Sequence, residues 1–159
     1  MSEIFEGVLV RNERAELERA LAAVASPLSL AVAAVSPGVW AAYRDDPRGS
    51  AAFSEEVERV AREISAVLGR ALVVRYDSRV GHRSACLYQQ GALGRHFGEA
   101  DETYVGLDAK GYPLEKGQKY RADELDPNKE YETALNAIQI GLEALGGGDW
   151  NELHALMTT

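Results

Sequence analysis

The chain has 159 residues, a formal charge of -8, 46% hydrophobic and 26% charged residues, and 5 prolines. That length suits one domain over residues 1–159 that buries roughly two thirds of its unfolded surface, and the composition excludes disordered and collagen-like classes. The acidic balance argues against attraction to phosphate backbones or anionic lipid, so nucleic acid is an unlikely partner class.

The opening residues Met1-Ser2-Glu3-Ile4-Phe5-Glu6 place acid where a secretory leader needs a basic region followed by an apolar one. The most apolar run, residues 28–43, is broken by Pro37-Gly38 and is shorter than the ~20 residues a bilayer-crossing helix requires. Cys86 is the one cysteine, so neither an intrachain disulfide nor a thiol cluster for zinc or iron and sulfur can form. A reducing, cytoplasmic compartment and no membrane partner are expected.

Ile4 to Val10 is apolar and rich in β-branched residues, which predicts a strand, and Asn12 is placed to cap the helix that follows. In that helix Leu17, Leu21 and Val24 share one face while charged residues fill the others. Residues 28–35 and 39–43 flank Ser36-Pro37-Gly38 and read as a β-hairpin. After the polar loop Asp45 to Gly49, Ser50 or Ser54 can cap a helix carrying Phe53, Val57, Val60, Ile64 and Val67-Leu68, which Gly69 ends. Three strands are expected next, at residues 71–76, 82–89 and 92–97, the last two joined by Gln90-Gly91. Thr103 to Leu107 adds a further strand before the turn Asp108-Ala109-Lys110-Gly111. Lys116 to Asp126 reads as a polar surface loop. Asp126-Pro127 then opens a helix whose Tyr131, Leu135, Ile138, Leu142 and Leu145 form one apolar stripe. Gly146-Gly147-Gly148 breaks it, and Asp149 with Glu152 starts a last short helix as a capping box does.

Strands bounded by three to four amphipathic helices, without regular strand-helix alternation, predict an α+β two-layer sandwich: a mainly antiparallel sheet with helices on one face.

Few residues are arranged for chemistry. The hairpin register implied by a two-residue turn at Gln90-Gly91 sets Ala85 opposite His96 and Cys86 opposite Arg95, which puts Cys86 and His96 on opposite faces and argues against a thiol-imidazole dyad. Asp77, Ser78, His82 and Ser84 lack the G-x-S-x-G elbow that exposes a serine nucleophile and read as turn chemistry. H-E-x-x-H, paired cysteines, an EF-hand loop and both glycine-rich phosphate motifs are missing, so no metal or cofactor is implied. One feature departs from background. Residues 70–98 hold Arg70, Arg75, Arg79, Arg83 and Arg95 against the single acid Asp77, in a chain that is otherwise acidic on both sides. Arg75, Arg79, His82, Arg83, Arg95 and His96 are therefore the candidate anion-binding residues, by charge-assisted hydrogen bonds. The bland reading is that these arginines pair with acids of the same chain or lie solvated on an edge strand.

Three functions compete. The first is a non-enzymatic module that binds a basic protein through an acidic loop and helix, with Tyr112, Tyr120, Glu124 and Asp126 as contact residues. Small bacterial immunity proteins work in this general way, a comparison of class with no shared motif. The second is a small-molecule site, anion-binding or enzymatic, in residues 75–96. The third is a structural homo-oligomer, a homodimer at its simplest, burying a helix face or strand edge. The binding module is the reading the sequence favours.

Overall fold

Every side chain from Phe5 to Val10 of strand β1 (Ile4–Arg11) that has a side chain is buried, which a strand open to water on one face could not manage. The computed structural model describes residues 4–27, 29–44, 51–77, 82–100, 103–105, 119–121 and 137–157, with backbone alone at 51–54, 82, 96–100, 103–105 and 119–121. In chain order, β1 is followed by helix α1 (Arg14–Val24), the hairpin β2 (Ala31–Ser36) and β3 (Val39–Tyr43), helix α2 (Ala51–Leu68) and strand β4 (Arg70–Asp77). The strands β5 (His82–Gln89), β6 (Ala92–Ala100), β7 (Thr103–Val105) and β8 (Lys119–Arg121) come next, then helices α3 (Ala137–Leu145) and α4 (Trp150–Met157).

The strands form one sheet in the order β2-β3-β1-β4-β5-β6-β7-β8, with antiparallel neighbours throughout. Its first half is a split β-α-β arrangement, because β3 and β4, joined by α2, run parallel with β1 inserted between them. The expected α+β sandwich is thus present. Its helices divide between the two faces, so the sheet lies between helical layers instead of carrying every helix on one side. Leu17 and Ala20 of α1 and Val57, Val60, Ala61 and Ile64 of α2 pack on Val8, Val10, Val73 and Cys86. Ile138, Leu142 and Leu145 of α3 and Leu153 of α4 pack on Leu9, Leu72, Val74, Ala85 and Leu87 on the reverse face.

Local structure follows the sequence with several differences. Asn12 does not cap α1. Glu13 is the flanking residue, without a side-chain cap, and the Glu13 N–H donates to Asn12 Oδ1 at 2.8 Å. Helix α2 starts at Ala51, which places Ser54 inside it, and Val67 is 71% exposed, off the buried stripe. The hairpin turn forms at Pro37-Gly38, with Gly38 at φ 78°. Residues 119–121, expected in a loop, are a strand paired with β7. The turn at 108–111 and the helix start at 126–131 lie outside the described residues. Beyond α3 the N–H groups of Gly146 and Gly147 both donate to Leu142 O at 3.1 Å, which satisfies one of the last carbonyls of the helix. Asp149 caps α4 as expected: its Oδ2 accepts from the Glu152 N–H at 3.2 Å.

Helix α3 lies close on the sheet at Gly141, where an added Cβ would lie 2.6 Å from Ala85 Cβ and 3.2 Å from Leu72 Cδ1. Replacing a mid-helix glycine by alanine ordinarily gains about 0.5–1 kcal/mol. Here overlap with β5 outweighs that gain, and Gly141→Ala is expected to lower stability by about 1–2 kcal/mol, read as a lower urea midpoint at unchanged m.

Candidate functional site

Register decides which of the sequence-selected residues share a face. Arg75 is opposite Glu6 on β1 and Ser84 on β5, and its face is that of Val73 and Cys86, under α2. Position 82 is opposite Asp77, on this same face by the alternation of β4. Arg83 is opposite Tyr76, and Arg95 is opposite Leu87, so both belong to the face covered by α3 and α4. Arg79 lies outside the described residues. The sheet therefore divides these residues between its two faces.

The β5-β6 register corrects one expectation. The turn at Gln90-Gly91 has both residues at positive φ, 52° and 83°, as a two-residue hairpin turn requires. Beyond it, however, the pairing shifts between Leu87 and Tyr88, because β6 carries an extra residue at Gly94. Cys86 is consequently opposite position 96 and not Arg95, so positions 86 and 96 share a face. The opposite-face argument against a dyad fails, and the state of the thiol decides instead. Cys86 is 8% exposed, and burial pushes its pKa up to about 11, with the positive charge of Arg75 only partly offsetting the shift. At neutral pH it is a protonated, covered thiol, the reverse of an activated nucleophile.

Beside it, the Arg75 guanidinium bonds to Glu6 and lies 3.4 Å from Glu58 on α2. The three side chains are 21%, 7% and 37% exposed. Burial lowers the Arg75 pKa, but the hydrogen bond and charge of Glu6, with the charge of Glu58, outweigh it and hold the group above its ordinary value. This is an ion pair locked beneath a helix, with its donors directed at carboxylates of the chain.

The opposite face presents the arrangement the sequence did not assemble. At the far end of β4, Tyr76 meets two rings of α4: Trp150 edge-on at 5.3 Å and His154 edge-on at 5.9 Å between centroids. Trp150 and His154, one helical turn apart, stack at 5.2 Å and 17°. The Arg83 guanidinium lies 5.9 Å from the Trp150 ring centre, in cation-π range. All four side chains are half-buried. Two hydrogen bonds from outside α4 fix its first turn: the Asp149 N–H donates to Ser36 Oγ at 3.2 Å and the Trp150 N–H to Gln139 Oε1 at 2.7 Å. The rings are thus held before any ligand arrives.

Comparison with known proteins finds no matching family model, no matching curated protein and no matching solved structure.

Of the residues expected to contact a protein, position 120 is in β8 opposite position 104, while Tyr112, Glu124 and Asp126 lie outside the described residues. Among the described residues, no group of three or more His, Cys, Asp or Glu is placed to hold a metal ion, and no helix is long and apolar enough to cross a membrane. Arg83 was singled out in the sequence as a candidate anion ligand. Tyr76 and His154 carried no such mark, since only packing of α4 on β4 joins residues so distant in the chain.

Three measurements check this electrostatic picture. Glu6→Ala leaves the covered Arg75 charge without its nearer carboxylate, and is expected to cost about 2–4 kcal/mol in denaturant unfolding. Cys86 should react with a thiol reagent at pH 8 only at the rate of opening. Its raised pKa stabilises the fold in full below its ordinary value of 9.0, and that contribution is lost as pH climbs toward about 11. Cys86→Ala should flatten this alkaline loss.

Proposed function

We propose that the chain is a non-enzymatic protein-binding module whose contact surface is centred on Tyr76, Arg83, Trp150 and His154. One observation carries this reading: three rings and a guanidinium, half-buried and mutually packed, at one end of a sheet face. Trp, Tyr and Arg are the side chains that dominate binding energy at protein interfaces, because each offers a large contact area with a polar handle. Holding them in place beforehand reduces the ordering cost that association must meet. The chain's charge of -8 speeds encounter with a basic partner more than it strengthens the final complex. A cytoplasmic setting suits the free thiol at Cys86.

The test is quantitative capture by the immobilised protein against two variants, Trp150→Ala and Arg83→Gln, the second of which leaves the rings in place. A partner retained by the wild type and weakened by at least about tenfold in both variants, at unchanged folding, is the expected result. Equal recovery on wild type and Arg83→Gln, or no retained protein under cross-linking, would overturn the proposal.

A further inference from the structure

At the other end of β4 the sheet closes on a different kind of surface. A cleft of about 490 Å³ is lined by Arg11, Leu68, Gly69, Arg70, Gln89, Gln90 and Leu145. The volume is in the range that accepts small molecules. We infer that this cleft binds a small molecule bearing one carboxylate on a neutral, partly apolar body.

The charge inventory points there. Arg14, Arg19, Arg59 and Arg75 each have a glutamate within 4 Å. Arg11 and Arg70 form no ion pair among the described residues, although the protein is strongly acidic and both line one cleft. Arg70 makes a long contact, from Nη1 to Ala144 O at 3.4 Å. Part of this positive charge answers the helix ends, since α2 and α3 both finish at the cleft, at Leu68 and Leu145. Each helix C-terminus carries roughly half a negative charge, so two ends offset about one of the two guanidinium charges. About one positive charge remains, which matches a single carboxylate. Ser65 O, Leu142 O and Glu143 O near these helix ends already accept from the N–H groups of Gly69, Gly146 and Gly147.

The turn at the rim adds an independent sign. Gln90 holds φ at 52° next to Gly91 at 83°, a backbone shape that Asn and Gly take more readily than Gln. The Gln90 N–H donates to Gly69 O at 3.0 Å, and its Nε2 lies 3.8 Å from where a Gly69 Cβ would stand. Its amide thus lies beside Gly69 in the lining of the cleft. Local preference would put Asn here, and a long amide that reaches the cleft is what the chain has instead. Bidentate capture of a carboxylate by Arg11 or Arg70, an amide contact from Gln89 or Gln90, and apolar cover from Leu68 and Leu145 make a consistent set.

The experiment is an amide-detected NMR titration of the whole chain with benzoate, against benzamide as the uncharged control, each to about 20 mM at low salt. Saturable shifts at Gly69, Arg70 and Gln90 with benzoate alone are expected, weakened at least about tenfold in both Arg11→Gln and Arg70→Gln. Both arginines are exposed, so both variants keep the fold. Gln90→Asn should raise the melting temperature while weakening benzoate several-fold, a combination that a merely structural turn residue would not give. Shifts that stay linear to the last point, an equal response to benzamide, or affinity unchanged in the arginine variants would overturn the inference. The cleft and the aromatic patch lie at opposite ends of β4, so Trp150→Ala should leave this titration unaltered, and the two readings fail separately.

Discussion

Strand β1 has helices on both sides, and this double cover governs where everything else can be. A strand between two helical layers must be apolar at consecutive positions, and Val8-Leu9-Val10 supplies both cores in alternation, with Val8 and Val10 under α1 and α2 and Leu9 under α3. Ala71-Leu72-Val73-Val74 of β4 does the same one strand over. Each large aliphatic side chain so buried is worth about 1.5–3 kcal/mol by removal from water, which makes this central pair the part of the sheet least able to shift. Polar chemistry is pushed to the strand ends. Arg11 and Arg70 emerge at one end of the central strands, and Tyr76 with its neighbour Arg83 at the other.

The exception is Glu6 with Arg75, charged residues inside the doubly covered zone. Their cross-strand pairing is a consequence of register, and it also enforces register. A slip of β1 by one residue against β4 would turn Glu6 toward the face of Leu72 and Val74 and leave Arg75 beneath α2 without its partner. Net stability from a buried ion pair is small, because desolvation offsets most of the attraction, whereas separating the two charges is costly. The pair is better understood as a penalty on wrong alignments than as a source of stability in the right one.

Much of the fold was legible because local chemistry and final structure agree. The strand β5, the hairpin turn at Pro37-Gly38, the stop after Leu68 and the Asp149 cap are all written in neighbouring residues. The number of layers was less legible, although its sign was present: continuous apolar runs, as at residues 8–10 and 71–74, mark strands covered on both faces, where strict alternation would mark one. The bulge in β6 had a sign too, a glycine at position 94 within an otherwise regular strand. That single residue moved Cys86 from opposite Arg95 to opposite position 96 and put Arg95 on the other face of the sheet. The split of Arg75 from Arg83 follows from strand alternation once β4 and β5 pair, whereas that of Arg75 from Arg95 needs the bulge. The ring cluster was not legible at all, for its members come from β4, β5 and α4 and depend on how a helix at the chain's end docks.

That docking explains why the aromatic patch has fixed geometry while lying at the surface. Helix α4 is only 8 residues long, below the length at which a helix holds itself in water. Its stability must come from attachments: Leu153 in the core beneath α3, the Asp149 cap, and N–H groups of its first turn bound to Ser36 of β2 and Gln139 of α3. These hold α4 across the sheet from the β2 edge to β4, and Trp150 and His154, one turn apart, are carried onto Tyr76 by that crossing. Two residues outside the ring cluster, Ser36 and Gln139, thereby set where the rings stand. A side chain that positions a surface by binding the backbone of the helix beneath it leaves no trace in the composition of that surface, which is why the patch emerges from the structure and not from its residues.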